Sequence, residues 1–278
     1  MHIPFSVTHM LRLALDEDLG NGDLTTNLLI PEEQESRALI IAKGSFIVAG
    51  MPFMREVFAL GDRTTEFTIF CEEGEKIKKG AIIAELHGNT GTLLSCERVG
   101  LNVLQRLSGV ATLTNAFVNE VKGTGAVIVD TRKTTPGMRF MERYAVRVGG
   151  GSNHRFGLYD GILIKDNHIE AVGSITTAVR AARKAHHLLR TEVEVETLNE
   201  LMEALAAGSD VVMLDNMSLE DMKEAVKRSG GKVIIEASGN ITIERVRAVA
   251  ETGVDFISIG ALTHSAPAAD ISMKIVKH

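Results

Sequence analysis

Residues 192–215 read EVEVETLNELMEALAAGSDVVMLD. The first five residues alternate acid and valine, the period-two pattern of a strand with two chemically different faces. Thr197 then stands at a plausible helix N-cap, and TLNELMEALAAG carries apolar residues at helical spacing up to Gly208, a helix-ending residue. The run DVVMLD follows and ends on Asp215. Strand, helix, strand, with too few residues between for anything else, is one βα unit with parallel strands.

Working outward, the same unit recurs. The runs AVIVD (126–130), GILIKD (161–166), EVEVE (192–196), DVVMLD (210–215), KVIIEAS (232–238) and DFISIG (255–260) are separated by amphipathic segments at 174–189, 197–208, 218–230 and 242–253. Ser218 with Asp221 approximates a capping box, whereas Thr242 with Arg245 does not. A side chain able to do chemistry closes nearly every run: Asp130, Lys165, Glu194, Asp215, Glu236 and Ser258. In a (β/α) barrel such ends converge on one mouth, where barrel enzymes keep their active sites. Six runs are fewer than eight strands, which leaves an incomplete barrel or a further strand near residues 144–150.

The first hundred residues follow another pattern. A helix over about Thr8 to Asp18, strands in SRALIIAKG and SFIVAG, and short strands with glycine turns over 66–88 describe a separate α+β domain. The pattern GEKIKKGAIIAELHG resembles a biotinyl- or lipoyl-type module, but its lysines lack the tip context such attachment requires. A long helix over 95–121 leads into the repeating part.

Composition removes several classes. A net charge of -6 and 4% aromatic residues with no Trp argue against tracking a nucleic-acid backbone or stacking bases. No apolar run reaches the ~18 residues of a membrane helix, and the N-terminus lacks the layout of a signal or transit peptide. Two cysteines, Cys71 and Cys96, write no disulfide framework or zinc site, so a cytoplasmic protein without nucleic-acid or membrane partners is expected.

Against that acidic background, cations gather at the run ends. Arg132 and Lys133 sit in VDTRKTTPGMR (129–139), Arg155 beside His154 in GGGSNHRFG, and Lys165 at the end of GILIK. Single surface cations mean little, but four at comparable run ends point to a polyanionic ligand, for which the guanidinium fork is suited. Glu194 and Glu196 lie on one side of their strand, with Asp215 closing the next; such acids can hold ribose hydroxyls or Mg²⁺. ASGNIT (237–242) and ISIGALTH (257–264) combine small residues with a following helix start, as phosphate loops do. His168 is expected to pack or support rather than to bind a metal.

At these residues the chain resembles the quinolinate phosphoribosyltransferase family, the decarboxylating nicotinate-nucleotide pyrophosphorylases of NAD biosynthesis. The blocks run in order over nearly the whole length: EDLGNGDLTT, CERVGLNVLQRLSGVAT, DTRKTTPGMR, GGGSNHRFGLYDGILIKDNHI, VEVET, VVMLDNM, IEASGNIT and GVDFISIGALTHSA. The resemblance implies an α/β fold: an N-terminal α/β sandwich domain over 1–108 and an open seven-stranded, incomplete TIM-like α/β barrel over 109–278, its last residues returning to the N-terminal domain. It implies transfer of phosphoribose from phosphoribosyl pyrophosphate (PRPP) to quinolinate with decarboxylation. The implied catalytic residues are Lys133, Lys165, Glu194 and Asp215. Substrate contacts would come from Arg98, Thr131, Arg132, Lys133, Thr134, His154, Arg155, Lys165, Glu194 and Asp215, and phosphate contacts from Ser238, Gly239, Asn240, Ser258, Ile259 and Gly260. Glu194 and Asp215 would hold Mg²⁺ together with PRPP, without an organic cofactor. A homodimer or hexamer is implied, with Arg98 contributed across the interface. Relatives associated with molybdenum transport share the scaffold and take another acceptor. Two further readings stand beside this one: an aldolase with Lys165 as Schiff-base nucleophile, and a phosphosugar-binding protein without catalysis.

Overall fold

A computed structural model describes residues 2–276; Met1 and the last two residues of the expected barrel segment, Lys277 and His278, lie outside the described residues. The chain divides into two compact units. The first holds residues 1–115, 134–150 and 263–278, and the second holds 116–133 and 151–262.

The first unit begins with α1 (Phe5–Leu19) and α2 (Leu24–Leu29), followed by β1 (Glu35–Ala42), β2 (Phe46–Ile47), α3 (Met51–Gly61), β3 (Glu66–Ile69), β4 (Lys76–Ile77), β5 (Ile82–Asn89) and α4 (Thr90–Glu120). Its antiparallel sheet has the order β12-β1-β5-β3, where β12 is Ile271–Val276 from the chain end. Alternation along β1 buries Ser36, Ala38, Ile40 and Ala42 on one face. The 31 residues of α4 are one helix because buried Leu93, Cys96, Gly100, Leu104, Leu107 and Ala111 recur at three- and four-residue steps. Phe53, Met54 and Phe58 of α3 complete this core, each fully buried, a gain of about 2–3 kcal/mol per side chain. The Glu73 carboxylate fixes the start of α3 by accepting from the backbone N–H groups of Gly50 and Met51, and it also accepts from the Tyr144 hydroxyl at 2.8 Å.

The second unit takes the end of α4 from Ala116 onward, then β6 (Val127–Val129). The next helix, α5 (Arg139–Val148), belongs to the first unit. After it come β7 (Ile162–Ile164), α6 (Asp166–Val172), α7 (Ile175–Ala182), β8 (Thr191–Val195), α8 (Leu198–Ala207), β9 (Val211–Asp215), α9 (Leu219–Ser229), β10 (Ile234–Ser238), α10 (Ile243–Ala250) and β11 (Phe256–Ser258). The short α11 (Ala261–His264) precedes β12.

Each of the six expected runs is a strand of one parallel sheet, in the order β6-β11-β10-β9-β8-β7. Sequence neighbours pair, and the last strand of the series pairs with the first, which is the order of a ring opened between β6 and β7. The seventh place is not the strand expected near 144–150, because Tyr144 to Val148 are helical in α5. With buried Met141, Ala145 and Val146 on one side, that segment has the helical period. What does stand beside β6 is a single parallel bridge from Val129 to Ser152.

The sheet's two faces differ. Val193, Val195, Val212, Leu214, Ile235, Ala237 and Ile257 are buried apolar residues on the face that meets the helices. The helices answer with Val179 of α7, Leu201 and Ala204 of α8, Met222 and Ala225 of α9, and Val246 and Val249 of α10. Caps hold the helix starts in place: Thr197 and Glu200 form a complete capping box, and the Ser218 hydroxyl accepts from the Asp221 N–H at 3.0 Å. The Thr242 side chain makes no cap bond to α10.

Candidate active site

The other face of the parallel sheet carries the polar residues. Parallel register aligns Glu194 with Met213 and Met213 with Glu236, and two residues further Asp215 with Ser238. Side chains two apart share a face, so Leu163 and Lys165, Met213 and Asp215, and Glu236 and Ser238 all line one cavity of about 530 Å³ at the C-terminal strand ends. Thr131, Arg132 and Lys133 reach it from the loop after β6, His154 and Arg155 from the loop before β7, Gly239 and Asn240 from the loop after β10, and Ser258 from the end of β11.

Local bonds shape these loops. The Thr131 hydroxyl accepts from the Lys133 N–H at 3.0 Å, a side-chain turn that places two cations in succession. Asp130 is fully buried, and its role is internal. It accepts from Asn153 Nδ2 at 2.6 Å and from the His154 N–H at 2.8 Å, fixing the segment that delivers His154 and Arg155. Beyond Arg155, the Asp160 carboxylate takes the N–H groups of Phe156 and Gly157, while Arg155 Nη1 donates to the Gly161 carbonyl. His168 supports the start of α6, its Nδ1 accepting from the Lys165 N–H at 2.9 Å.

Two ionic groupings dominate. Lys165 Nζ lies 2.6 Å from Glu194 Oε2. His154 Nε2 lies 3.1 Å from Glu192 Oε2 and 3.5 Å from Glu236 Oε2. The Arg155 N–H points at His154 Nδ1, a bond that the neutral ring can accept and the doubly protonated ring cannot, while Nε2 faces the two carboxylates, which favour protonation. Burial lowers the His154 pKa, but its hydrogen bonds to Glu192 and Glu236 outweigh burial and raise it. Burial raises the pKa of Glu192, opposed by the His154 hydrogen bond and reinforced by the charge of Glu236. Arg155 is pulled below its ordinary value, first by burial and then by the Arg132 guanidinium beside it. Like charges crowded in a half-buried cavity are relieved by an anion between them. Ser258 Oγ, buried at the same mouth, has no protein partner among the described residues, so a ligand oxygen could satisfy it.

Most of the residues expected at a site therefore share one cavity, and four fall elsewhere. Ile259 is a buried core residue whose N–H donates to the Val129 carbonyl. Thr134 belongs to the first unit and accepts from Arg139 Nε at 3.0 Å. Gly260 follows β11 without being a lining residue. Arg98, on α4, lines a different hollow of the first unit, with Met10, Asp18 and Asn102. Sequence reasoning passed over Glu192, Asn216, Leu163 and Met213. For Glu192 the signal was present, since it is two residues before Glu194 on the same face; Asn216 had none.

Residues 110–274 match the family described as quinolinate phosphoribosyl transferase, C-terminal domain, and residues 23–108 match its N-terminal domain. A protein of Bacillus subtilis (strain 168), named a probable nicotinate-nucleotide pyrophosphorylase (carboxylating), is 49% identical over 260 residues, covering 93% of this chain and 90% of the relative. A protein of Nicotiana glauca, named quinolinate phosphoribosyltransferase (decarboxylating) 2, mitochondrial, is 40% identical over 99% of this chain and 83% of its own length. The solved structure of the nicotinate-nucleotide pyrophosphorylase from Francisella tularensis superposes with a TM-score of 0.93 at 43% identity, covering 99% of this chain and 98% of that one. With both halves matched in order and relatives of this identity aligned over nearly the full length, the chain belongs to the quinolinate phosphoribosyltransferase family.

Proposed function

We propose that this protein transfers the phosphoribosyl group of PRPP to quinolinate with loss of CO₂, giving nicotinate mononucleotide and pyrophosphate in the de novo synthesis of NAD. The observation that carries this reading is the single cavity in which Arg132, Lys133, Arg155 and Lys165 stand with the carboxylates Glu194 and Asp215. Both substrates are polyanions, and bringing them together is unfavourable without fixed positive charge between them. The cations hold the two in a reactive orientation and remove the cost of their repulsion. As the bond from ribose C1 to pyrophosphate breaks, positive charge grows on the sugar, and Glu194 and Asp215 are fixed anions suited to stabilise it. The quinolinate nitrogen attacks C1. The resulting pyridinium withdraws electrons from the adjacent carboxylate, CO₂ departs, and the carbanion left on the ring takes up a proton. Ser238, Gly239, Asn240 and Ser258 would receive the 5′-phosphate, with the Ser258 hydroxyl still seeking a partner.

Magnesium belongs to this proposal. Glu194 and Asp215 come from neighbouring strands and line one cavity, a donor set suited to an ion shared with substrate phosphates. Each carboxylate has one oxygen already engaged, Glu194 Oε2 by Lys165 and Asp215 Oδ2 by Asn216, which leaves Glu194 Oε1 and Asp215 Oδ1 to face the ion. When bound with PRPP, the ion supplies charge neutralisation of the leaving pyrophosphate. A dimer, or a hexamer built from dimers, in which Arg98 serves the neighbouring subunit's site is a further part of the proposal. It is supported by the position of Arg98 on the first unit, in a hollow without the other proposed ligands. A cytoplasmic setting suits the two free cysteines.

An aldolase reading loses support from Lys165, whose side chain is 46% exposed and ion-paired with Glu194; a Schiff-base lysine needs a desolvated amine. The test mixes protein, Mg²⁺ and PRPP with quinolinate or with nicotinate, following nucleotide and CO₂. Turnover with quinolinate alone is expected. PRPP binding without turnover on either acceptor would overturn the reaction and favour a relative acting on another acceptor or a binding role.

A further inference from the structure

Asn216 and Asn240 are the two non-glycine residues with positive φ among the described residues, at 55° and 51°. Both stand where a strand of the cavity ends, Asn216 directly after β9 and Asn240 two residues after β10. Asparagine enters the left-handed region more readily than most residues, yet two such positions side by side call for a reason.

The reason is a chain of bonds. Asn216 Nδ2 donates to Asp215 Oδ2 at 2.7 Å, and Asn216 Oδ1 accepts from Asn240 Nδ2 at 2.9 Å. A carboxylate only accepts, so the Asp215 contact fixes which end of the Asn216 amide is nitrogen. The Asn216 N–H also donates to the Ser238 carbonyl at 3.0 Å, tying the end of β9 to the end of β10. Gly239 completes the device. Its φ is +87°, and a Cβ there would fall 2.2 Å from Asn216 Oδ1 and 2.8 Å from Nδ2. The missing side chain at 239 is the space the Asn216 amide occupies.

We propose that Asn216 is the positioning residue that locks the Asp215 carboxylate and the 238–240 loop into one rigid receptor for the two ends of a single phosphoribosyl donor. The proposal rests on the reading of Asp215 as a ribose contact and of 238–240 as the phosphate loop. With Oδ2 held by the Asn216 amide, Asp215 cannot swing about its side-chain bonds, and Oδ1 is left for the donor. The same amide, through Asn240, sets the loop at a fixed distance from that carboxylate. Recognition of the sugar and of its phosphate then depends on one side chain, while the pyridine acceptor is not involved.

The test compares wild type with Asn216→Gly and Gly239→Ala. Glycine adopts φ of 55° without strain, so Asn216→Gly keeps the backbone and deletes only the amide. We expect its melting temperature to stay at or above that of wild type. The KM for PRPP and the calorimetric Kd for PRPP, measured without acceptor, should rise about tenfold, kcat should fall, and the KM for quinolinate should stay unchanged. Gly239→Ala, which evicts the amide, should give the same pattern, and the double variant should be no worse than either single one. If Asn216→Gly proves unstable, Asn240→Gly breaks the loop half of the chain and should still raise the PRPP constants alone. An Asn216→Gly variant with wild-type PRPP constants, or one whose two substrate constants rise together, overturns the proposal. Wild-type protein that neither binds nor consumes PRPP overturns the functional reading itself, a failure seen before any variant is made.

Discussion

Strands β1 and β8 alternate with the same period and put it to different use. On β1 the buried residues are Ser36, Ala38, Ile40 and Ala42, and the intervening Glu35 and Arg37 are exposed. There Arg37 pairs with Glu85 of β5 at 2.7 Å, both in contact with solvent. On β8 the valines are buried against the helices, and the glutamates take the opposite face, where buried Glu192 meets His154 and half-buried Glu194 meets Lys165 in the cavity. Polar residues facing bulk water contribute little. Polar residues enclosed in a sheet's inner face are costly unless paired, and once paired they form an electrostatic environment able to act on a ligand. The same pattern separates core from solvent in one unit and core from chemistry in the other.

Substitutions in the two units can break that contrast, and the largest effect is expected on activity. Arg132→Ala and Lys165→Ala should each reduce kcat/KM by about 10³-fold, equal to about 4 kcal/mol of barrier. Melting temperatures close to wild type should accompany the loss, and near-wild-type rates would sink the site assignment. Next come the cores: Leu201→Ala in the second unit and Leu86→Ala in the first remove fully buried side chains. Each should cost about 3 kcal/mol in denaturant melts, with catalysis retained in whatever fraction stays folded.

A smaller, pH-dependent effect belongs to His154. Its folded pKa is raised above 6.5, so the stability it gains from Glu192 and Glu236 is fully present below 6.5 and is lost as pH rises through the raised value. The stability difference between wild type and His154→Asn should therefore shrink in alkaline buffer. A difference that grows with pH would show the ring to be held neutral throughout. Least of all, Arg37→Ala should leave both activity and melting temperature unchanged, because its partner Glu85 is hydrated without it; a measurable loss of either would break the comparison.

How far the site could be read in advance follows from the range of the interactions. Lys165, Glu194, Asp215 and Ser258 were legible because a strand end is a local feature and the βα repeat marks six of them. The loop cations were legible as a cluster of charge on an acidic chain. Glu192 looked like one more acid in EVEVE, and only the parallel register two strands away brings it, with Glu236, onto His154. Asp130 looked like a site residue for the same local reason as Asp215, yet the fold buries it under the His154 loop. The further strand allowed near 144–150 is absent because YAVRV, which runs into Gly149 and Gly150, is too short to show its helical period until the full helix from Arg139 is seen.

By itself the sequence determined the alternation of strands and helices, the face each strand buries, the caps that start the helices and the charge gathered at the strand ends. These depend on residues within about four positions of one another, where backbone geometry alone sets the neighbours. Only the tertiary structure decided which acids pair with His154 and that Asn216 occupies the space left by Gly239. Those pairings join residues tens of positions apart, and no local periodicity carries the register that aligns them.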